Sequence, residues 1–207
     1  MSHKHGDSAF AETLKSLQQA MGSRGAYARR DAGSDANDRL GPSEAAQPGA
    51  ERDGFYIASV SETGWPYIQF RGGPPGLMRL LEDKTLGYAD FRGNRQYVTT
   101  GNVAANDRVS LFLMDYVHQR RLKIFGRMRV VDASENPELA ARLAVPGYPG
   151  RVERAVLINV EAFDWNCPQH ITPRFTEAGL AAVLTSFREQ MISLRAENER
   201  LCVPSQP

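Results

Sequence analysis

The segment from Arg120 to Asp132 alternates in polarity, and it constrains the fold more than any other feature of the sequence. The basic face holds Arg121, Lys123, Phe125, Arg127 and Arg129, and the apolar face holds Leu122, Ile124, Gly126, Met128 and Val130. A period of two predicts a β-strand with one buried face and one basic face. The chain must therefore build a sheet that covers one side of this strand.

Further strands are predicted on both sides of this segment. Two of them form a hairpin across the turn Thr63-Gly64, because turn residues separate two runs rich in β-branched and aromatic residues. The predicted strands are 55–61, 65–71, 85–89, 109–114, 120–132 and 155–163. Short connections favour an antiparallel sheet, and closure into a small barrel protects its edges. The predicted class is a mainly β protein with flanking helices.

Helices are predicted around and within this sheet. Apolar residues recur at helical spacing from Phe10 to Met21, and Gly22 and Gly25 are expected to end that helix. Asn94 is expected to cap a helix that begins at Arg95, and residues 137–143 form a short helix. The stretch 31–54 is expected to be a loop, with a short helix after Pro42 as an option and Pro48-Gly49 as its end.

The last predicted helix covers residues 176–201. Its apolar residues are Leu180, Val183, Leu184, Phe187, Met191 and Leu194. They span fewer than the three to four heptads typical of a coiled coil, so we expect this helix to pack on the barrel or across a dimer. The chain is thus divided into an N-terminal extension (1–54), a barrel domain (55–175) and a C-terminal helix (176–207).

Composition excludes several classes of function. Lysine and arginine number 25 against 24 aspartate and glutamate, and a net charge of +1 argues against a dedicated nucleic-acid binder. No window approaches the roughly 18 apolar residues of a membrane span, and no secretory signal is recognisable at Met1. The two cysteines are too few for a disulfide framework, so a reducing cytoplasm is the expected compartment.

Basic residues from several segments suggest an anion site. Arg71 ends a strand, Arg95 is expected to open a helix, and Arg121 and Lys123 share a strand face. Guanidinium groups and a helix N-terminus suit a phosphate monoester. The alternative is a solvated surface, since alternation alone does not show that these groups converge. Gln69 can donate to and accept from a heteroaromatic ring, whereas the neighbouring Trp65 and Tyr67 are expected in the barrel core.

A proline-stiffened segment follows the last strand and ends at Arg174. Cys167 and His170 resemble half of a zinc site, but too few further ligands are at hand, and no metal is predicted. Either the segment presents His170 and Arg174 to a ligand, or it is a surface connector. Nucleotide-binding glycine motifs and a nucleophile elbow are missing from the sequence, so a bound cofactor would have to supply reactivity in an enzyme.

Four stretches together resemble the pyridoxamine 5′-phosphate oxidase-like flavoproteins. They are GWPYIQFRGGPPG, TLGYADFRGNRQYV, DRVSLFLMDY and RRLKIFGRMRVV, and the segment CPQHITPR supports a bacterial subgroup of FMN-binding proteins. The resemblance implies an FMN-binding split β-barrel and a homodimer with FMN at the subunit interface. The flavin-binding positions that it implies are Gln69, Phe70, Arg71, Tyr88, Asp90, Asn94, Arg95, Gln96, Arg121, Lys123, His170 and Arg174.

The resemblance also implies an FMN-dependent oxidoreductase that acts on a small molecule by hydride transfer. Gln96 replaces a lysine of the family's phosphate site, and Gln69 replaces an arginine, so pyridoxamine phosphate is not predicted as the substrate. The family's C-terminal substrate motif is not present as such. The alternative function is a non-catalytic protein that binds flavin or haem, as a cofactor store or a redox sensor.

Overall fold

The computed structural model describes residues 4–33, 37–41, 44, 52–165 and 169–201. Within those ranges, seven strands form a single antiparallel sheet. The strands are β1 (Gly54–Val60), β2 (Pro66–Gly72), β3 (Met78–Glu82), β4 (Thr85–Phe91), β5 (Arg108–Asp115), β6 (Arg120–Asp132) and β7 (Val152–Trp165). The predicted mainly β fold with flanking helices is confirmed, and β3 is the strand that the sequence prediction missed.

The strands follow the order β2-β1-β5-β6-β7-β4-β3. The sheet curls until side chains from distant positions meet inside it, and the rings of Phe55 on β1 and Tyr88 on β4 lie 5.2 Å apart in an edge-to-face contact. Both rings belong to the apolar core of the barrel, in which the side chains of Ile57, Leu111 and Ile124 are fully buried. This closure brings β2 close to β4, although five steps along the sheet separate them.

The alternation on β6 is confirmed. Leu122 and Ile124 are completely buried, whereas the alternating Arg121, Lys123 and Phe125 are partly accessible on the outer face. Helix α1 (Lys4–Ala9) covers part of that outer face, where the ring of His5 stacks on Phe125 at a centroid distance of 4.8 Å.

The N-terminal region is helical over a longer stretch than predicted. It forms α1, α2 (Glu12–Ala20) and α3 (Arg24–Gly33), of which α2 corresponds to the helix predicted from Phe10 to Met21, whereas α1 and α3 were not predicted. Gly22 ends α2 with a φ of 73°, as expected for a left-handed glycine, but Gly25 lies inside α3. Gly25 lies in the first turn of α3, although it was predicted to help end the preceding helix. The predicted loop at 31–54 begins too early, because α3 continues to Gly33.

Two short helices lie within the barrel region. Helix α4 (Val98–Ala105) begins three residues later than predicted, because Arg95 and Tyr97 have left-handed backbones with φ of 61° and 56°. Helix α5 (Pro137–Leu143) forms as predicted, and the side chain of Asn136 caps it by accepting from the amide of Leu139.

Helix α6 (Glu177–Leu201) ends the described part of the chain. The optional helix after Pro42 and its end at Pro48-Gly49 lie outside the described residues, apart from Glu44. No helix in the described ranges has the length and apolar content that crossing a membrane requires.

Candidate functional site

A polar cavity of about 270 Å³ lies where β2, β4 and the loop before α4 meet. Its walls combine strand residues that face the barrel interior with the left-handed loop. They are Tyr67, Gln69, Arg71, Asp90, Phe91, Gly93, Asn94, Arg95, Gln96, Tyr97, Val98, Thr100 and Arg154. Six of the predicted flavin-binding positions therefore line one cavity, namely Gln69, Arg71, Asp90, Asn94, Arg95 and Gln96.

The floor of the cavity is a buried carboxylate held by two arginines. Asp90 is 3% exposed, and it accepts from Nη1 of Arg71 at 2.8 Å. Arg154 donates to the other oxygen of Asp90 through Nε at 2.8 Å and through Nη2 at 2.6 Å. The antiparallel register places Asp90 directly opposite Arg154 on β7, and the two side chains therefore share the inner face.

The loop before α4 forms the rim. Nε of Arg95 donates to the hydroxyl of Tyr97 at 3.2 Å, and that hydroxyl donates to Glu153 at 3.3 Å. The guanidinium of Arg154 lies 4.5 Å from the centre of the Tyr97 ring, which is a cation–π contact. These contacts hold Tyr97 in its left-handed conformation and fix the position of Arg95 at the mouth.

Asn94 does not cap a helix, which corrects the sequence prediction. Its Oδ1 accepts from the backbone amide of Gln96 at 3.2 Å, so it shapes the loop instead. This local hydrogen bond competes with helix formation, as asparagine side chains commonly do.

The charges that line the cavity favour an anion. The lining holds three guanidinium groups, those of Arg71, Arg95 and Arg154, and one carboxylate, that of Asp90. A second carboxylate, that of Glu153, lies beside the lining at 3.4 Å from Nη2 of Arg154. A phosphate monoester carries a charge of about −1.5 to −2 at neutral pH. Nε of Arg71 is buried and makes no hydrogen bond with the described residues. The donor set fits one phosphate group.

Gln69 connects the cavity to α4. Its carbonyl oxygen accepts from the hydroxyl of Thr99 at 3.0 Å, and Thr99 is completely buried. The amide NH₂ of Gln69 is thus the part that can donate to a ligand in the cavity. A second contact, from Asn102 to Ser59 at 3.0 Å, holds α4 against β1.

Two predicted residues lie near the cavity but do not line it. Phe70 projects from the outer face of β2 and packs against the ring of Tyr56 at 5.2 Å. Tyr88 is 1% exposed inside the core, where its hydroxyl has no hydrogen-bond partner among the described residues and burial raises its pKa. The side chain of Tyr88 is therefore part of the core packing rather than a flavin contact within this chain.

Arg121 and Lys123 lie on the other side of the sheet. They alternate with the buried Leu122 and Ile124, and Lys123 pairs in register with Asp164, whose carboxylate lies 3.7 Å from its Nζ. The structure thus does not bring them together with Arg71 and Arg95 in one chain. A contact with a flavin from this face would require a second copy and stays a prediction.

The C-terminal segment is also placed elsewhere. The guanidinium of Arg174 lies 4.8 Å from the ring centre of Tyr116, beside a separate cavity of about 220 Å³. His170 is exposed and has a left-handed backbone with φ of 63°. Cys167 lies outside the described residues, and the described ranges contain no cluster of three or more potential metal ligands.

The sequence analysis missed Arg154 and Tyr97, and it misplaced Trp65. Arg154 precedes the apolar run of β7 at an inward-facing position, and a lone arginine on a buried strand face could have signalled a partner such as Asp90. Trp65 was expected in the core, but it is 75% exposed because it belongs to the turn before β2. Tyr67, also expected in the core, lines the cavity.

The chain is thus a mainly β split barrel with a polar cavity, lined by three arginines, beside its second and fourth strands. The profile of the family described as pyridoxamine 5′-phosphate oxidase matches residues 44–163. Because this match covers more than half of the chain, the protein belongs to that family. The suspected resemblance and the split-barrel fold are confirmed.

Solved structures with a similar fold include an FMN-binding protein from Syntrophomonas wolfei, with 9% identity and a TM-score of 0.48, covering 73% of this chain and 97% of that one. HupZ from Group A Streptococcus has 17% identity and a TM-score of 0.46 and covers 66% and 100%. HutZ, the heme storage protein of Vibrio cholerae, has 13% identity and a TM-score of 0.41 and covers 61% and 94%. These likenesses are too distant to assign a ligand. No curated protein matches the chain in sequence.

Proposed function

We propose that this protein binds FMN, with the phosphate in the cavity formed by Arg71, Arg95 and Arg154. The observation that carries the proposal is the convergence of three guanidinium groups from β2, the loop before α4 and β7 on one small cavity. Family membership supports the same ligand. Charge-assisted hydrogen bonds from arginine are the strongest that proteins offer to a phosphate.

The flavin ring would extend from this cavity along β2. Gln69 lies one inward position from Arg71, and its NH₂ can donate to a polar edge of the ring. His170 stays a proposed contact that would have to reach the ring from a second copy. When bound, FMN would supply hydride transfer to or from a small molecule, so we propose an oxidoreductase of unidentified substrate.

A homodimer with FMN at its interface is part of the proposal. The outer face of β2 exposes Ile68 at 65% and Phe70 at 54%, an apolar surface that a second copy would cover. Arg121, Lys123 and Arg174, which do not line the cavity of their own chain, would then contact the flavin of the partner.

The direct test is an absorbance spectrum of the purified protein after incubation with FMN and desalting, followed by mass spectrometry of the released molecule. Retained flavin absorbance and release of FMN support the proposal, and a colourless protein contradicts it. A Soret band after addition of haem, together with no flavin retention, would favour the alternative of a haem protein. Reduction of the bound flavin by NADH or NADPH and its reoxidation would separate an enzyme from a flavin store.

The dimer is tested by Ile68→Asp. A charge on the outer face of β2 should separate the barrels and expose the flavin cleft, so both self-association and FMN affinity should fall. Thr63→Asp in the neighbouring turn, which is also exposed, is the matched control and should change neither. Unchanged FMN binding in the Ile68 variant would show that the site is complete within one chain.

A further inference from the structure

Helix α6 has no partner in the described part of the chain. Every described side chain of this 25-residue helix is exposed, including large apolar residues: Leu180 is 45% exposed, Phe187 60% and Leu194 61%. The sequence analysis offered the barrel as one place for this helix to pack, and the structure does not show that packing. An isolated amphipathic helix in water is only marginally stable, so its apolar stripe needs a partner.

The apolar stripe of α6 follows a heptad repeat, and the core positions are all apolar from Leu180 to Leu194. Leu180, Phe187, Leu194 and Leu201 recur every seven residues and occupy the d positions, while Glu177, Leu184, Met191 and Asn198 occupy the a positions. From Leu180 to Leu201 the repeat covers about three heptads, which include the polar Asn198. The stripe considered in the sequence prediction ended at Leu194, without Asn198 and Leu201, and was therefore too short for a coiled coil.

We propose that α6 pairs with α6 of a second copy as a parallel two-stranded coiled coil. A single asparagine at an a position is the device by which such dimers fix register, because in parallel pairing it faces its own counterpart. In antiparallel pairing Asn198 would instead face an apolar position and lose that partner.

The charged residues beside the stripe favour the same orientation. The e positions hold Arg188 and Arg195, whereas the g positions hold Val183, Gln190 and Glu197. Parallel pairing places e residues opposite g residues, so Arg195 would face Gln190. Antiparallel pairing places e opposite e, so Arg188 would face Arg188 of the second copy and Arg195 would face Ala181. The helix is about 37 Å long at 1.5 Å per residue, and apolar contacts would run along its length.

The proposal is tested by disulfide cross-linking of the full chain with both native cysteines, Cys167 and Cys202, replaced by serine. Leu184→Cys at an a position near the start of α6 should form a disulfide-linked dimer under mild oxidation, because parallel pairing places the two residues side by side. In antiparallel pairing this position would lie opposite residues near 194. Ser186→Cys at an outward c position is the matched control and should cross-link at least tenfold more slowly.

A second substitution distinguishes helix pairing from contact through the barrels alone. Leu194→Asp, added to the Leu184→Cys protein, should slow cross-linking at least tenfold, and Ser193→Asp should leave it within twofold. Equal cross-linking at 184 and 186, or none at either, overturns the proposal, and so does fast cross-linking that survives Leu194→Asp. FMN binding is measured on the same variants, so a failed coiled coil with retained flavin remains distinct from failure of the proposed function.

Discussion

Nη1 of Arg71 on β2 lies 2.8 Å from Oδ1 of Asp90 on β4, and this ion pair connects two strands that are five steps apart in the sheet. The carboxylate is almost fully buried, and Arg154 takes its second oxygen. The same three residues therefore close the barrel wall and form the floor of the candidate phosphate site. Fold stability and anion binding depend on one network.

Asp90→Asn should lower the free energy of unfolding by about 3 kcal/mol, because it leaves the partly buried Arg71 without its counter-charge and leaves Arg154 with only Glu153, at 3.4 Å. Urea unfolding followed by tryptophan fluorescence measures the change. Asp107→Asn is the matched control, since Asp107 forms an exposed ion pair with Arg127 at 2.9 Å, and exposed pairs contribute about 1 kcal/mol or less. Equal effects of the two substitutions would show that the buried network is not central to stability.

Gly54 faces the ring of Phe70 across the first hairpin. An added Cβ would lie 2.3 Å from Cζ of Phe70 and 2.9 Å from the carbonyl oxygen of Arg71. Gly54→Ala should therefore reduce the free energy of unfolding by about 1–3 kcal/mol through overpacking. At Gly101 in α4 an added Cβ meets nothing within 4 Å, so Gly101→Ala should raise stability by about 0.5–1 kcal/mol. The same sign for both alanine substitutions would contradict this packing.

Asp38 gives the fold a specific sensitivity to acid. Hydrogen bonds from Lys4 and Lys84 lower the pKa of its carboxyl from 3.8 to about 2. A depressed pKa stabilises the folded state above the unfolded value, so the contribution is complete above about pH 4 and lost as the pH falls through about 2. Asp38→Asn should therefore destabilise the protein at pH 7, and its difference from the parent should shrink between pH 4 and pH 2.

The control for this pH dependence is Glu62→Gln, an exposed carboxyl in the turn between β1 and β2. It should follow the parent protein at every pH. A constant difference between Asp38→Asn and the parent down to pH 2 would show that the lysine contacts do not set the stability of this region.

Local patterns predicted most of the strands because burial on one face leaves a period of two, as on β6. They did not predict β3, whose five residues lie between a glycine- and proline-rich turn and the next turn and show no alternation. They also misjudged Gly25 and the start of α4, where the left-handed Arg95 and Tyr97 are held by contacts with Glu153 and Arg154 from β7. Long-range contacts of this kind leave no local signature.

Local sequence patterns predicted only part of the candidate site. Arg71 was identified because it lies near the end of a strand, and Arg95 because it was expected to open a helix, although it lies in the loop before α4. Closure of the barrel brings the two residues together. The position of Arg121 and Lys123 on the opposite face follows from their alternation with Leu122 and Ile124. In the proposed dimer a second copy would bring this basic face to the flavin. The alternation on β6 carries no information about how two copies associate.

The most direct test of the account is a comparison of FMN with riboflavin, which lacks the phosphate, as ligands of the parent protein and of Arg95→Ala. Titrations followed by flavin fluorescence should show FMN affinity falling by about 1.5–3 kcal/mol in the variant, the cost of one charge-assisted hydrogen bond, while riboflavin affinity stays unchanged. Arg151→Ala, an exposed arginine outside the cavity, should alter neither. Equal binding of FMN by the parent and Arg95→Ala, or an equal loss for both ligands, would contradict a phosphate site at Arg71, Arg95 and Arg154.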